Sequence, residues 1–200
     1  MTFGQRFARV VTDLVVRRPE LWRIFRGPLR SQFDKLAPVW DGMRRPDMLV
    51  PVEAGLDTLS APPGRVLDVG TGTGAVARLV ASRVPDAQIE GVDVSERMID
   101  EARRLTDSPR VHFQVADAQK LPFPEGVFDL VTLGNMIPFF DELGRVTAPG
   151  GHVLIAYSAG VETPIYVPPE RLRAGLARVG FAEFAELSAG RGTVVLATKR

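Results

Sequence analysis

Three glycines, Gly70, Gly72 and Gly74, fall within five residues, between an apolar run, Arg65–Val69, and a segment of helical period over 74–84. A loop of this kind turns tightly and lets a ligand approach its backbone. The helix N-terminus behind it favours an anionic group. Two acids end the next two apolar runs: Asp93 in QIEGVDV and Asp117 in VHFQVAD. Asp93 sits at about the ~20-residue offset from the loop at which a carboxylate binds ribose hydroxyls. A carboxylate suits a vicinal diol because it can accept two hydrogen bonds. Asp117 could accept from an adenine amino group. The plainer readings are a strand-to-helix turn, a helix cap for Asp93 and a turn residue for Asp117. Ser95 is, however, placed to be that cap.

Gly70-x-Gly72-x-x-Ala75 also satisfies the dinucleotide fingerprint, so a nicotinamide cofactor is an alternative. Asp68, two residues before the first glycine, argues against it. A dinucleotide brings a pyrophosphate to this loop, where a carboxylate repels it. The methionine part of S-adenosylmethionine carries an ammonium and a sulfonium, which an acid attracts.

These residues need elements that deliver them to one edge. RVLDV, QIEGVDV, VHFQVAD, VFDLVTLG and HVLIAYS read as strands. Helices are predicted over 74–84, from Ser95 to about Leu105, near Phe140–Val146, and over Pro168–Val179, where a proline at the start costs nothing. Pro149-Gly150-Gly151 predicts a turn before the fifth strand. Two last strands, near Phe181–Leu187 and Thr193–Thr198, are joined through Gly190 and Gly192. That link is too short for a crossover helix, so the pair is an antiparallel hairpin. The expected fold is α/β: a Rossmann-like doubly wound, mostly parallel seven-stranded sheet with a C-terminal antiparallel hairpin, both faces covered. An N-terminal helical segment precedes it. Phe3, Phe7, Val10, Val11 and Leu14 share a helical stripe, with Arg6 and Arg9 off it. Further helices are predicted over Glu20–Phe25 and Asp47–Leu59, the latter capped by Asp47. Pro28, Pro38 and Pro46 break up the chain between them. Residues 1–59 form a helical cap and 60–200 the ligand-binding domain.

VLDVGTGTG at 66–74, the acid in GVDVS, VAD at 115–117, FDLV at 128–131 and PGG at 149–151 resemble, in order, the motif series of class I S-adenosylmethionine-dependent methyltransferases. The resemblance covers roughly residues 60–200. FDKLAPVWD at 33–41 is similar to a segment of the quinone-biosynthesis and related small-molecule methyltransferases that folds over the cofactor, which would place Trp40 near the donor pocket. The resemblance implies S-adenosyl-L-methionine as cofactor. It assigns Asp68 and Gly70, Thr71, Gly72 and Gly74 to the methionine part and Asp93 to the ribose. Val94, Met98 and Ala118 would sandwich the adenine, with Asp117 on its amino group. Met98 reads equally as helix core. Gly134 and Asn135 would line the methyl-transfer side. The chain departs from the pattern after the fourth strand, where GNMIPFFDELGRVTAPGG is compressed, and between the fifth strand and last helix, where about ten residues stand in for a substrate lid.

Methyl transfer from a sulfonium is an in-line displacement with a neutral leaving group, so proximity and alignment dominate. A general base is needed only for a weakly acidic nucleophile. His112 and His152 fall inside strands and read as structural or exposed. Tyr157, Tyr166, Asp141 and Glu142 remain as acceptor-side candidates. Asn135-Met136-Ile137-Pro138 is not the Asn-Pro-Pro-aromatic motif of DNA amino methylation, and nucleic acid is not expected as acceptor. Ile137, Phe139, Phe140 and Trp40 suggest an apolar or aromatic small molecule. The absence of cysteine excludes disulfides, thiolate metal sites and methylation through a covalent Cys adduct, and no metal is expected. No apolar run reaches a membrane span, and MTFGQRFARVV lacks a signal-peptide pattern, so a cytoplasmic protein is expected. The net charge is +1, but residues 1–50 hold ten Arg or Lys against five Asp or Glu. That basic helix could lie on an anionic membrane and deliver a lipid-like acceptor, or touch RNA phosphates. The plainer reading packs its apolar stripe on the domain, with the arginines in solvent. Three function classes stand: a small-molecule methyltransferase, a non-catalytic protein binding S-adenosylmethionine or S-adenosylhomocysteine, and an NAD-dependent oxidoreductase.

Overall fold

Apolar runs rich in Val, Leu and Ile recur between glycine and proline breaks, and each becomes a strand. The computed structural model describes residues 3–200, with side chains from Gly4 onward. Three helices lead: α1 (Phe3–Arg17), α2 (Trp22–Leu36) and α3 (Val50–Leu56). Then come β1 (Arg65–Val69), α4 (Ala75–Arg83), β2 (Gln88–Asp93), α5 (Glu96–Leu105) and β3 (Val111–Val115). They are followed by β4 (Phe128–Gly134), α6 (Phe140–Val146), β5 (Thr147–Tyr157), α7 (Pro169–Arg178), β6 (Phe181–Ala189) and β7 (Gly192–Lys199). The seven strands form one sheet in the order β3-β2-β1-β4-β5-β7-β6. Strands β1 to β5 pair in parallel, and β7 runs antiparallel to both β5 and β6. The order turns back at β1, which lies between β2 and β4, and open α/β sheets bind ligands beyond the strand ends at such a point.

Alternate strand residues face opposite sides. Leu67, Val69, Val131, Leu133 and Ile155 build one core with Val11 and Val15 of α1, Leu143 of α6 and Leu172 of α7. Val66, Ile89, Leu130 and Leu154 build the other with Val52 of α3, Val80 of α4 and Ile99 of α5. Among the described residues no helix is long and apolar enough to cross a membrane.

Four local expectations are corrected. The second helix does not stop near Phe25 and is not broken by Pro28, which lies inside α2. Gly27 before it has no Cβ, which removes one of the clashes that keep a pre-proline residue out of the helical region. The third helix is only Val50–Leu56, preceded by Leu49 rather than capped by Asp47. The Asp47 carboxylate instead accepts from Arg45 Nε at 3.1 Å. Pro149-Gly150-Gly151 is a bulge inside β5 rather than a turn before it: pairing with β4 jumps from Phe128–Thr147 to Leu130–His152, and Gly150 takes φ +77°.

The fourth correction concerns α1. Its buried residues are Val11, Thr12 and Val15, while Phe7, Val10 and Leu14 are 56%, 57% and 39% exposed. The apolar stripe read from the sequence therefore faces solvent, apart from Val11. The Phe3 side chain of that stripe lies outside the described residues. Polar anchors set this rotation. Arg9 donates to the carbonyls of Val161, Thr163 and Pro164 at 2.7, 2.9 and 3.2 Å, and Arg171 of α7 holds Asp13.

Candidate active site

The glycine loop is built as its composition demands. Gly70, Gly72 and Gly74 take φ of +70°, +54° and +81°, a region closed to most side chains. The Gly70 and Thr71 N–H groups both donate to the Val92 carbonyl, at 2.8 and 2.9 Å, which fastens the loop to the end of β2. The Phe113 ring of β3 lies over two glycines at once. A Cβ on Gly74 or on Gly91 would stand 2.7 or 2.5 Å from it.

Asp93 ends β2 beside the loop. Its two oxygens accept from the Gly72 N–H at 3.0 Å and the Ser95 N–H at 2.9 Å. Each oxygen keeps a lone pair for a further donor. Burial pushes this carboxyl above the usual range, opposed by those N–H groups. Ser95 is the cap of α5, accepting from the Met98 N–H at 3.1 Å, and its hydroxyl donates to Asp34 of α2 at 2.6 Å.

Asp68 lies deeper. Thr71 and Thr132 hydroxyls donate to its two oxygens at 2.6 and 2.9 Å. Burial, partly countered by these bonds, pushes the carboxyl up to about 6. An acid raised in the folded state holds its proton there at a pH where the unfolded chain has released it. Stability contributed by this group therefore falls as pH rises from about 4 to about 6 and is level above that window. The difference in unfolding free energy between wild type and Asp68→Asn should show this slope. A difference constant across the window would mean that Asp68 titrates normally.

The loop, Asp93 and the ends of β4 and β5 border a cavity of about 620 Å³. Of the residues assigned from sequence, Trp40, Gly70, Thr71, Gly72, Asp93, Val94, Met98, Ala118, Gly134 and Asn135 line it. Three do not. Asp68 sits behind the loop with its oxygens taken by hydroxyls, and Gly74 lies under Phe113. Asp117 is held by α2: Trp22 Nε1 donates to one oxygen at 2.8 Å and Arg26 to the other at 2.6 Å. Asn135 has φ +52°; its amide donates to Ser158 Oγ and its carbonyl accepts from the Ser158 N–H, each at 2.9 Å. The acceptor-side candidates are elsewhere. Tyr157 is buried edge-on to Tyr166 at 5.3 Å, Asp141 pairs with Arg178 and Glu142 with Arg145.

Residues 37–49 roof the cavity, and here the structure adds groups that sequence reasoning missed. Asp41 and Arg44 both bond the Thr73 hydroxyl, Arg44 pairs with Asp41 at 3.1 Å, and Arg78 of α4 reaches Asp41 at 3.4 Å. The backbone hydrogen bonds of residues 37–49 stay within 33–53 among the described residues, the Ala37 N–H reaching back to the Phe33 carbonyl of α2. Arg44 lines the cavity, and its Nε is buried without a partner. Burial pulls its pKa below the usual arginine range. A buried guanidinium with an unused N–H is a site for an anion. Only the i, i+3 spacing of Asp41 and Arg44 could have signalled this pair.

The lining fits the parts of S-adenosylmethionine: lone pairs of Asp93 for a diol, the Arg44 Nε for a carboxylate, and an apolar slot of Val94, Met98 and Ala118 for a purine. Residues 66–151 match the family described as methyltransferase domain. A demethylmenaquinone methyltransferase of Thermus thermophilus is 40% identical over 106 residues, 48% of each chain. A ubiquinone/menaquinone biosynthesis C-methyltransferase of Desulfotalea psychrophila is 40% identical over 95 residues, 44% of this chain and 39% of that one. The matched region thus spans less than half of either relative. An S-adenosylmethionine-dependent methyltransferase structure from Aquifex aeolicus superposes with a TM-score of 0.66 at 20% identity, over 86% of this chain and 98% of that one, a likeness of fold. Residues 66–151 thus match a methyltransferase domain, and the fold as a whole is that of S-adenosylmethionine-dependent methyltransferase structures.

Proposed function

We propose that this chain transfers a methyl group from S-adenosylmethionine to a small apolar or aromatic acceptor. The observation that carries the reading is a single cavity with polar donor-side groups at the glycine loop and apolar walls beyond. Trp40, Met48, Met136 and Ile165 supply those walls. The names of the two relatives support an acceptor of the quinone type. When bound, the cofactor supplies an electrophilic methyl on a sulfonium. Asp93 holds the ribose, Arg44 receives the carboxylate, and Val94, Met98 and Ala118 clamp the adenine. Asp68 lends negative charge behind the loop through a low-dielectric path. Asp117 orients Trp22 and Arg26 of the roof side instead of touching the adenine. Residues 1–59 act as a cap over a binding domain of 60–200.

The only carboxylates lining the cavity, among the described residues, are Asp93, bound to backbone, and Glu162, paired with Arg191 at 2.6 Å. The acceptor must therefore be nucleophilic without a strong base, as an electron-rich ring carbon or an already ionised oxygen is. A second cavity of about 220 Å³ adjoins the first at Trp40, Met48, Ser158 and Arg191 and gives such an acceptor room. The acceptor is lipophilic and is taken up from a lipid surface.

Titration calorimetry with S-adenosylhomocysteine and with NAD tests the donor. Binding of the former alone is expected, and tight binding of NAD alone would overturn the reading. Labelled donor supplied with detergent-dissolved quinol acceptors tests the transfer. Label should pass to an acceptor. Donor binding with no transfer to any acceptor, in that assay or with a metabolite extract, would leave a binding protein in place of an enzyme.

A further inference from the structure

The outward face of α1 is unusual for a helix packed on a domain. Phe7, Val10 and Leu14 follow one another at helical spacing and are all substantially exposed, although the same helix buries Val11 and Val15 on its other side. Arg6 lies four residues before Val10 and Arg17 three after Leu14, so both border the strip. Arg6 and Arg18 make no ion pair among the described residues, and Arg17 pairs at 3.1 Å with Asp13, which Arg171 also holds. An apolar strip edged by guanidinium groups is what an interfacial helix presents to a bilayer.

We propose that the face Phe7–Val10–Leu14, with Arg6, Arg17 and Arg18, docks on a lipid bilayer carrying anionic headgroups. Charge selects this occupant over a second copy of the chain. A two-fold pairing of α1 with itself would set arginine-bordered strips against each other, and like charges oppose that contact. An anionic headgroup layer complements them.

The location gives docking a consequence. Gln5 of α1 lines the main cavity. Arg9 grips the carbonyls of Val161, Thr163 and Pro164, and Glu162, Thr163, Pro164 and Ile165 form part of the cavity wall. Val161, on the same loop, is 65% exposed and adds an apolar side chain beside the helix. A helix seated at the headgroup level therefore brings one wall of the cavity to the lipid, where a lipophilic acceptor resides. The inference rests on the proposed reading for the purpose of docking, and on exposure and charge for the surface itself.

The test is cosedimentation of the full chain with vesicles of phosphatidylcholine alone and of phosphatidylcholine mixed with phosphatidylglycerol. Wild type should bind the mixed vesicles and lose that binding in high salt. The triple variant Phe7→Ser, Val10→Ser, Leu14→Ser should bind them about tenfold or more weakly. Its affinity for S-adenosylhomocysteine should match wild type, which shows that it is folded. Equal vesicle binding by variant and wild type, or none by wild type, overturns the proposal. So does a wild-type dimer in light scattering that the variant converts to monomer, since a second copy then covers the face. Vesicle binding without methyl transfer to any acceptor sinks the enzymatic reading alone. Transfer to a detergent-dissolved acceptor without vesicle binding sinks this surface alone.

Discussion

Gly74→Ala should lower the stability of the domain by roughly 2–5 kcal/mol, joining the cost of a left-handed non-glycine residue to that of an overpacked core. The backbone at Gly74 has φ +81°, and the new methyl would stand 2.7 Å from the Phe113 ring. That ring is 7% exposed and also covers Gly91, so it has no free direction in which to retreat. A loss of this size is a large part of the total for a domain. Denaturant unfolding measures it. Removing the ring in Gly74→Ala, Phe113→Leu should return the steric share and leave the backbone share, a non-additivity that a double-mutant cycle reads directly. An alanine variant as stable as wild type would mean that the loop relaxes away from β3.

Asp93→Ala should weaken binding of S-adenosylhomocysteine by about 10- to 100-fold, the value of a charge-assisted hydrogen bond. Two effects combine. The ribose loses its carboxylate, and the Gly72 and Ser95 N–H groups, held at 3.0 and 2.9 Å, lose their acceptor. Asp93→Asn separates them, because an amide oxygen can still accept from one N–H. The asparagine variant should keep near-normal thermal unfolding and lose affinity nonetheless. Calorimetry on both variants checks this, and unchanged affinity in both would remove Asp93 from the site.

Much of this architecture was legible in the chain. Strand and helix alternate from Arg65 onward with breaks at glycine, Ser95 caps α5 as its position predicts, and the short link through Gly190 forces an antiparallel end to the sheet. What was not legible depends on residues far apart in sequence. The bonds that Trp22 and Arg26, 95 and 91 residues away, make to the Asp117 oxygens leave no mark in the sequence. Arg44 shows no role until Thr73 and Asp41 meet beside it. Periodicity locates α1 but cannot choose between its two apolar faces. Long-range bonds from Arg9 and Arg171 make that choice, and they turn the more obvious stripe outward. Pro28 misled in part for a local reason: one of the clashes by which a proline ends a helix involves the preceding Cβ, and Gly27 has none.

The roof of residues 37–49 makes its joint with the glycine loop through the carboxylate, guanidinium and hydroxyl groups of Asp41, Arg44, Arg78 and Thr73. Its backbone bonds reach no further than Phe33 and Glu53. Displacing this segment would break those polar contacts, the Phe33–Trp40 ring contact and the packing of Ala37 and Leu49, but not one rung of the sheet ladder. Entry and exit of a ligand beneath the roof would then draw on a different store of free energy from that which keeps the sheet together. The pocket can be loaded and emptied many times while the core beneath stays shut.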